Sequence, residues 1–491
     1  MTSFEKIDLH AIARGTMERY GFLPSFPKRV TEEVNAVKEA EILSRSRKHV
    51  KDLRDLLWSS IDNADSLDLD QIEYCERGFN QEILVKVAVA DVDLFAPKGS
   101  QADGYAAHNG TSVYTGIDTF PMFPERLSHG ITSLRPGDDH MAVVVEFAVL
   151  RNGSVRRGEV YRALVRNKAQ LVYEEIGDWL EGKIATPKAV SSVPGLEAQL
   201  RLQRTAADRL KDFRMERGAL ELESIEVKPV FQEETVTALI RPRDNPARYI
   251  IENFMVAANG TVMEFLGRAG LPTIQRVVRV PKNWEGIREV ALALGTNLPP
   301  HPEPKVLSRF LLKRKAADPL RFPDLSLTVI KLLGPGEYTM LEPGKPPIGH
   351  FGLAVMDYTH STAPNRRFVD VIIQRLVKSV LVRRPCPYSR KELIEHAAWC
   401  TDRDKMSKKV ERFMQKVAAA ILMDGRVGEI FDGIVTGASE KGTYVRLLDP
   451  PVEGRVVRGF ERMEVGHTVR VRLTDLDPYE GHIDFVRVKA R

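Results

Sequence analysis

The chain has 491 residues, and at about 100–200 residues per domain this length predicts roughly three domains. Hydrophobic residues make up 43% and charged residues 28% of the chain, which excludes a mainly disordered protein. The net charge of +5 permits a polyanionic partner without requiring one. The sequence has no run of about 18 apolar residues, and the acidic residues near its start do not suit a signal peptide. We therefore expect a cytoplasmic protein that makes no membrane contact.

Residues 1–50 have a helical pattern. Apolar residues at helical spacing predict one helix over 9–20 and a second over 30–43. Gly21 and two nearby prolines separate the two helices. Two interpretations of this segment stay open: a helix-turn-helix or winged-helix module, or a helical cap on the main domain.

Residues 51–425 alternate between strand and helix patterns. Short, β-branched runs at 83–90 and 141–145 predict buried strands. The segments 196–217 and 246–266 predict helices, the second apolar enough to be central. The pattern predicts a large domain of mixed α/β structure.

The last segment, residues 426–491, has a different pattern of short predicted strands separated by turns. Five short strands are expected, with turns at Gly437, Gly442, Gly454 and Asp477. This length and spacing are typical of a small five-stranded OB-type barrel. The sequence as a whole therefore predicts an α+β multidomain protein with a small helical module at the N-terminus.

The most informative stretch contains four aspartates within the nine positions 62–70. Aspartate is unfavourable in strands and helix interiors, so this density is unusual without a purpose. Mutual repulsion would raise the pKa values of these carboxyl groups unless a cation offset it. Mg²⁺ prefers carboxylate oxygens and keeps coordination sites for substrate phosphate. Composition alone leaves a solvated acidic loop as the alternative.

The segment 52–73, DLRDLLWSSIDNADSLDLDQIE, resembles the opening motif of the RNB catalytic domain of the ribonuclease II and ribonuclease R family. Further blocks resemble the same family and occur in its order. These blocks are residues 87–92, 110–114, 120–128, 133–137, 169–175, 217–220, 251–259, 350–354 and 358–370.

The resemblance implies processive hydrolysis of single-stranded RNA from its 3′ end, with Mg²⁺ (or Mn²⁺) and release of nucleoside 5′-monophosphates. Metal ions stabilise the charge that attack on a phosphodiester creates. The implied catalytic residues are Asp62, Asp68, Asp70 and Arg366, and the implied metal ligands are Asp62, Asp68, Asp70 and Gln71. Asp70 is expected to matter most for turnover. Arg366 is expected to stabilise the transition state.

The resemblance also implies contacts with RNA. Tyr114 matches an aromatic that stacks on the 3′-terminal nucleotides, an interaction that tolerates every base. Tyr173 and Glu252 match positions that contact ribose 2′-hydroxyl groups, the feature that distinguishes RNA from DNA. Arg367 is placed with these RNA-binding residues and is expected to hold the backbone or an internal carboxylate.

The segment 428–456 resembles an S1-type RNA-binding OB-fold. Phe431 and Tyr444 fall where that fold displays aromatics on its binding face, and Arg446 and Arg455 are expected to reach phosphates. The alternative is that the two aromatic residues belong to the core of the barrel.

Gln71 departs from the family pattern, which has a fourth aspartate at this position. Glutamine keeps an oxygen ligand but loses the charge. Two alternatives follow: a catalytically weakened RNA-binding protein, and an enzyme that also cleaves single-stranded DNA, which Tyr173 and Glu252 disfavour. The family resemblance also suggests that the protein is a monomer.

Overall fold

A seven-stranded mixed sheet lies at the centre of the fold. The computed structural model describes residues 7–46, 50–223, 228–232, 235–240, 245–319, 321–439 and 442–488. The strands up to residue 172 are β1 (Lys51–Asp52), β2 (Ser59–Asp62), β3 (Gln71–Arg77), β4 (Ile83–Ala90), β5 (Val113–Tyr114), β6 (Thr119–Phe120), β7 (Asp139–Val149), β8 (Val155–Arg166) and β9 (Ala169–Val172).

The order in this sheet is β1-β8-β7-β4-β3-β2-β9, and β5 and β6 form a separate hairpin. The β1–β8 and β2–β9 pairs are parallel, and the other pairs are antiparallel. Strand β4 is buried along almost its whole length. A continuous apolar run of this kind forms a strand that is covered on both faces.

The helices up to residue 333 are α1 (Leu9–Arg19), α2 (Lys28–Asn35), α3 (Glu39–Ser46), α4 (Gln101–Asn109), α5 (Tyr173–Leu180), α6 (Lys188–Ser191), α7 (Leu196–Glu216), α8 (Pro246–Arg268), α9 (Trp284–Ala293), α10 (Pro304–Ala317) and α11 (Phe322–Leu333). Helices α7 and α8 pack side by side against the central strands. Asn245 caps α8 and Pro246 opens it, a favourable start because proline needs no amide partner there.

The remaining helices are α12 (Phe368–Leu381) and α13 (Arg390–Leu422). A capping box of Ser389 and Glu392 starts α13, the longest helix described, which leads to the C-terminal barrel. Two small two-stranded antiparallel sheets pair β10 (Lys228–Gln232) with β11 (Thr235–Ile240), and β12 (Thr273–Val277) with β13 (Glu337–Leu341). None of the described helices combines the length and apolar character needed to cross a bilayer.

The C-terminal strands close into a five-stranded barrel, which confirms the expected fold class. They are β14 (Ile430–Ser439), β15 (Gly442–Leu447), β16 (Glu453–Arg458), β17 (Thr468–Asp477) and β18 (His482–Arg487). Gly437 and Gly454 lie inside strands β14 and β16, so the turns expected at these two residues are wrong. A Cβ atom at Gly454 would lie 2.4 Å from the Phe485 ring, so close packing explains this glycine.

The N-terminal segment forms three helices where two were expected, and no strand occurs in its described residues 7–46. Helix α1 packs its buried residues, Leu9, Ala13 and Met17, against the apolar face of α13. The Arg403 guanidinium in α13 donates to the carbonyls of Tyr20 and Gly21. The described part of the segment thus packs on the main domain as helices, without the strands of a winged helix, and the helix-turn-helix interpretation stays a prediction.

Candidate active site

The aspartate-rich loop joins the end of β2 to the start of β3. The hydroxyl of Ser133 accepts a hydrogen bond from the Leu69 amide (3.0 Å) and donates one to the Leu67 carbonyl (2.7 Å). The Ala90 amide donates to the carbonyl of Asp70 at 3.0 Å. These contacts fix a loop whose own side chains are mostly too short and polar to form a core.

Asp70 is the most buried of the three candidate aspartates, with 3% of its surface exposed. Its Oδ1 accepts a hydrogen bond from the Asn365 amide at 2.8 Å, and its Oδ2 lies 3.5 Å from Nε of Arg366. Burial raises the pKa of this carboxyl group well above its usual range, although the charge of Arg366 opposes the shift. Asp70 therefore depends on nearby positive charge to ionise.

Asp62 and Asp68 flank this group. Burial, and then the charge of Asp68, raise the pKa of Asp62 to about 6. Burial also raises the pKa of Asp68, against the opposing charge of Arg366. Oδ2 of Asp62 is buried and has no hydrogen-bond partner. The structure thus brings the three aspartates into one electrostatically strained group.

Arg366 follows Asn365 in the loop before α12, and its side chain is 44% exposed. Its carbonyl accepts hydrogen bonds from the Ser112 amide and the Thr111 hydroxyl, both at 3.0 Å. Thr111 and Ser112 directly precede β5, which carries Tyr114. The backbone therefore links the arginine to the tyrosine hairpin.

Tyr114 is 42% exposed, and its hydroxyl donates to Oδ2 of Asp68 at 3.4 Å. Tyr173 opens α5 and belongs to the same neighbourhood, since burial and then the charge of Asp62 raise the pKa of its hydroxyl group. The guanidinium of Arg248 lies 4.4 Å from the Tyr173 ring centre. The two tyrosines thus border the aspartates with aromatic surface.

Glu252 lies on α8 and forms an ion pair with Arg214 of α7 at 2.9 Å. Arg214 also donates to the Asn253 side chain at 2.7 Å. The sequence analysis missed Arg214, because the register between two helices distant in sequence leaves no local signal. The Glu252 carboxylate is half-exposed, and the Arg214 guanidinium orients it.

Gln71 is the first residue of β3 and is 8% exposed. The sequence analysis also missed Glu73, which is fully buried on the same strand with no hydrogen-bond partner for either carboxylate oxygen. Its only sequence signal is a glutamate within an otherwise buried strand segment. Native buried carboxylates are normally paired, so this residue requires an explanation.

The remaining candidates, Arg367, Phe431 and Arg446, make internal contacts. Arg367 forms a two-point ion pair with the buried Asp370. Phe431 belongs to the barrel core at 7% exposure, so the expectation that it is displayed is wrong. Arg446 is 3% exposed and pairs with Asp324 of α11 at 2.8 Å, so the phosphate contact expected for it is replaced by an internal one.

Tyr444 is half-buried on β15, and Arg455 is exposed opposite it on β16. The two residues are direct cross-strand neighbours, so their side chains lie on the same face of the barrel. This face keeps one aromatic residue and one cation accessible.

The donor set suits a hard divalent cation. The carboxylates of Asp62, Asp68 and Asp70 and the amide oxygen of Gln71 are oxygen ligands, and Oδ2 of Asp62 has no other partner. Within the described residues, no three histidine, cysteine, aspartate or glutamate side chains already converge as a metal cage. Mg²⁺ commonly binds through one or two carboxylates together with substrate phosphates. The residues present therefore fit a cation that shares its coordination with RNA.

Fold and site together define an RNB-type catalytic domain. The family model of the RNB domain matches residues 50–383, and that of the RNase II-type exonuclease C-terminal S1 domain matches residues 429–488. The chain belongs to the RNB family, which confirms the resemblance and the expected enzyme class, an exoribonuclease of the RNase II type.

Two curated relatives are named ribonuclease R. The ribonuclease R of Thermotoga maritima is 30% identical, over 94% of this chain and 68% of the relative. That of Aquifex aeolicus is also 30% identical, over 96% of this chain and 69% of the relative. The similarity thus extends over most of this chain.

Solved structures show the same fold. The apo form of Mycoplasma genitalium RNase R has a TM-score of 0.87 at 22% identity, covering 98% of this chain and 78% of that chain. Yeast Ssd1, described as a pseudonuclease, has a TM-score of 0.70 at 15% identity, covering 91% of this chain and 56% of that one. The same fold thus occurs in an RNase R and in a protein described as a pseudonuclease.

Proposed function

We propose that this protein is a 3′→5′ exoribonuclease that hydrolyses single-stranded RNA processively and releases nucleoside 5′-monophosphates in a Mg²⁺-dependent reaction. The single observation that carries the proposal is the group formed by buried Asp70 and partly buried Asp62 and Asp68, which faces the half-exposed guanidinium of Arg366. This pairing provides negative ligands for a cation and a positive group for the scissile phosphate. Relatives named ribonuclease R support the substrate class.

Asp62, Asp68, Asp70 and Gln71 would hold the cation. When bound, Mg²⁺ supplies charge stabilisation for the phosphoryl oxygens and lowers the pKa of a bound water. Asp70 is held in place by the Asn365 amide, so its carboxylate has a defined direction without substrate. Arg366 is exposed enough to meet a phosphate and is positioned through its backbone carbonyl. Its guanidinium stabilises the charge of the transition state.

Tyr114 offers a partly exposed ring beside Asp68, where it stacks on a base near the 3′ end. Tyr173 and Glu252 discriminate RNA through the ribose 2′-hydroxyl. The paired Arg214 orients Glu252 as a hydrogen-bond acceptor. The barrel face with Tyr444 and Arg455 adds a second contact for the strand. By the family resemblance, we propose a cytoplasmic enzyme that acts as a monomer.

A catalytically weakened RNA-binding protein is the second candidate, and the uncharged Gln71 favours it. A gel time course on 5′-labelled single-stranded RNA, with Mg²⁺ and with EDTA, separates the two. We expect rapid Mg²⁺-dependent conversion to a short end product without a ladder of intermediates. Intact RNA in both lanes, with a mobility shift that shows binding, would favour the second candidate.

A further inference from the structure

Two hairpin turns lie side by side at the end of the central sheet opposite the aspartate-rich loop. Residues 78–82 join β3 to β4, and residues 150–154 join β7 to β8. The ends of these four strands are aligned in three cross-strand pairs: Arg77–Ile83, Ile83–Val149 and Val149–Val155. The centres of the two turns are therefore about 10 Å apart, which is two strand spacings.

Arg209 of α7 contacts both turns. Its guanidinium donates to the Gln81 carbonyl at 2.7 Å, and its own carbonyl packs so closely on Gly153 that a Cβ atom there would collide with it. An ion pair between Glu82 and Arg156 joins the first turn to the strand that follows the second. The two turns therefore form one continuous surface. We call it the turn surface and define it as residues 77–82, residues 150–156 and Arg209.

Phe79 is the most exposed large apolar side chain among the described residues, at 90%. Its turn is closed by two hydrogen bonds, from the Gly78 amide to the Glu82 carbonyl and from the Glu82 amide to the Phe79 carbonyl, both at 2.9 Å. Asn80 and Gln81 have positive φ angles of 51° and 63°, a pair for which asparagine followed by glycine is the usual choice. The turn thus fixes the backbone of Phe79 while its ring stays almost entirely in solvent.

The turn surface is basic, with four arginines and one carboxylate. Glu82 is paired with Arg156, and Arg209 is held by a carbonyl group rather than by a carboxylate. Arg77 and Arg151 are exposed and form no ion pair with any residue that the structure describes. Two guanidinium groups near Phe79 are therefore free to meet an anion.

A ring in solvent near unpaired cations suits single-stranded nucleic acid, because bases stack on the ring and phosphates meet the cations. A stable protein interface would instead need a core of several apolar residues. Phe79 is the only exposed large apolar residue of the turn surface, all of which lies in the described part of the chain. Its charge and its single ring therefore favour a polyanion over a protein.

We propose that the turn surface is a second contact for single-stranded RNA, in which a base stacks on Phe79 and neighbouring phosphates bind Arg77 and Arg151. The length of β3, about 20 Å, separates this surface from Gln71, so it holds a part of the strand away from the reacting 3′ end. The contact rests on the proposed function, because that function makes RNA the partner.

RNA binding in EDTA tests the role of Phe79 without hydrolysis. Fluorescence anisotropy of labelled polyuridylate gives the dissociation constant. We expect Phe79→Ser to weaken binding about fivefold or more, the lower bound for the loss of one base stacked on an aromatic ring. Leu292→Ser is the matched control, because Leu292 is 64% exposed and lies on α9, outside the turn surface. Equal affinities of Phe79→Ser and the unmodified protein would overturn the proposal and leave a protein partner as the occupant.

Phe79→Trp gives a direct signal for stacking. The indole ring keeps an aromatic face, so this variant should retain the RNA affinity of the unmodified protein. The fluorescence that the new ring adds to that of the four native tryptophans should be quenched when polyuridylate binds. Added fluorescence that does not respond to bound RNA would contradict stacking at this position.

The salt dependence of binding tests the phosphate contacts. The double variant Arg77→Gln with Arg151→Gln should lower the slope of log affinity against log salt by about 1.4, since each phosphate contact with a single strand contributes about 0.7. The matched control is Arg268→Gln with Arg288→Gln, which removes the same net charge from arginines that already pair with glutamates of their own helices. The same change of slope in both double variants would assign the effect to net charge and overturn the two contacts.

RNA hydrolysis by the unmodified protein is measured in parallel, so that the two proposals fail separately. Hydrolysis together with unchanged RNA affinity in Phe79→Ser would overturn only the role of the turn surface. Absence of hydrolysis, together with RNA binding that depends on Phe79, would overturn the nuclease function and leave the RNA contact supported.

Discussion

Asp70 combines burial, an amide hydrogen bond and proximity to Arg366. Asp70→Asn keeps the shape and an oxygen acceptor for the Asn365 amide but removes the charge. We expect RNA hydrolysis to be abolished while RNA binding, measured by mobility shift, persists. Hydrolysis close to that of the unmodified protein would exclude the role assigned to this carboxylate.

Arg366 has a guanidinium free enough to reach a phosphate, whereas its neighbour Arg367 is held by Asp370. Arg366→Ala should slow single-turnover hydrolysis by ~10²–10³, the effect of removing one donor to a developing negative charge. RNA affinity in EDTA, measured alongside, should change far less than the rate. An unchanged rate would contradict the proposed transition-state role.

Among individual residues, the sequence predicts those site residues that belong to local motifs. Asp62, Asp68, Asp70 and Arg366 are brought together as the motif spacing implies. The burial of Glu73 without a hydrogen-bond partner could not be predicted. It depends on the register of β3 against β2 and on the packing of Gln203 of α7, which no local sequence pattern contains. Whether a side chain such as that of Phe431 is buried or exposed likewise depends on tertiary packing.

The β5–β6 hairpin is the element that presents Tyr114. Tyr114→Ala should lengthen the smallest RNA left undegraded, because base stacking contributes about 1–3 kcal/mol per nucleotide. Tyr114→Phe is the matched control: it keeps the ring and loses only the 3.4 Å contact with Asp68. High-resolution gels of the end products measure both variants, and an unchanged end product in Tyr114→Ala would place the ring in a structural role.

Element boundaries follow from the sequence where the periodicity is long. Helices α7 and α8 begin at the predicted residues and end within two residues of the predicted ends, because their apolar spacing extends over five or more turns. Gly437 and Gly454 misled the barrel prediction, since a glycine that allows close packing looks the same in sequence as one that forms a turn. The N-terminal helices were expected, but their packing on α13 depends on tertiary contacts.

At the scale of the whole molecule, a buried ion pair joins the C-terminal barrel to the rest of the protein. It links Arg446 of the barrel to Asp324 of α11. Asp324→Asn should lower the free energy of unfolding by about 3–5 kcal/mol, because it removes the negative charge that faces the buried Arg446 guanidinium. Urea denaturation measures the change. Asp318→Asn, whose carboxylate is more exposed and lies 4.0 Å from Arg321, is the matched control and should change little. An equal effect of the two variants would show that the barrel does not depend on this pair.

The hydrogen bonds from Thr111 and Ser112 to the Arg366 carbonyl have a consequence for substrate choice. They join the backbone that carries Arg366 to the backbone that leads to Tyr114, so the two segments keep a fixed spacing. Under the proposed function, the RNA strand is positioned by two contacts: one base stacks on Tyr114 and one phosphate meets Arg366. The distance from base plane to phosphate must fit the spacing of these two residues. That distance is common to all four nucleotides. The enzyme therefore accepts every base, because the protein backbone sets the spacing between the two contacts.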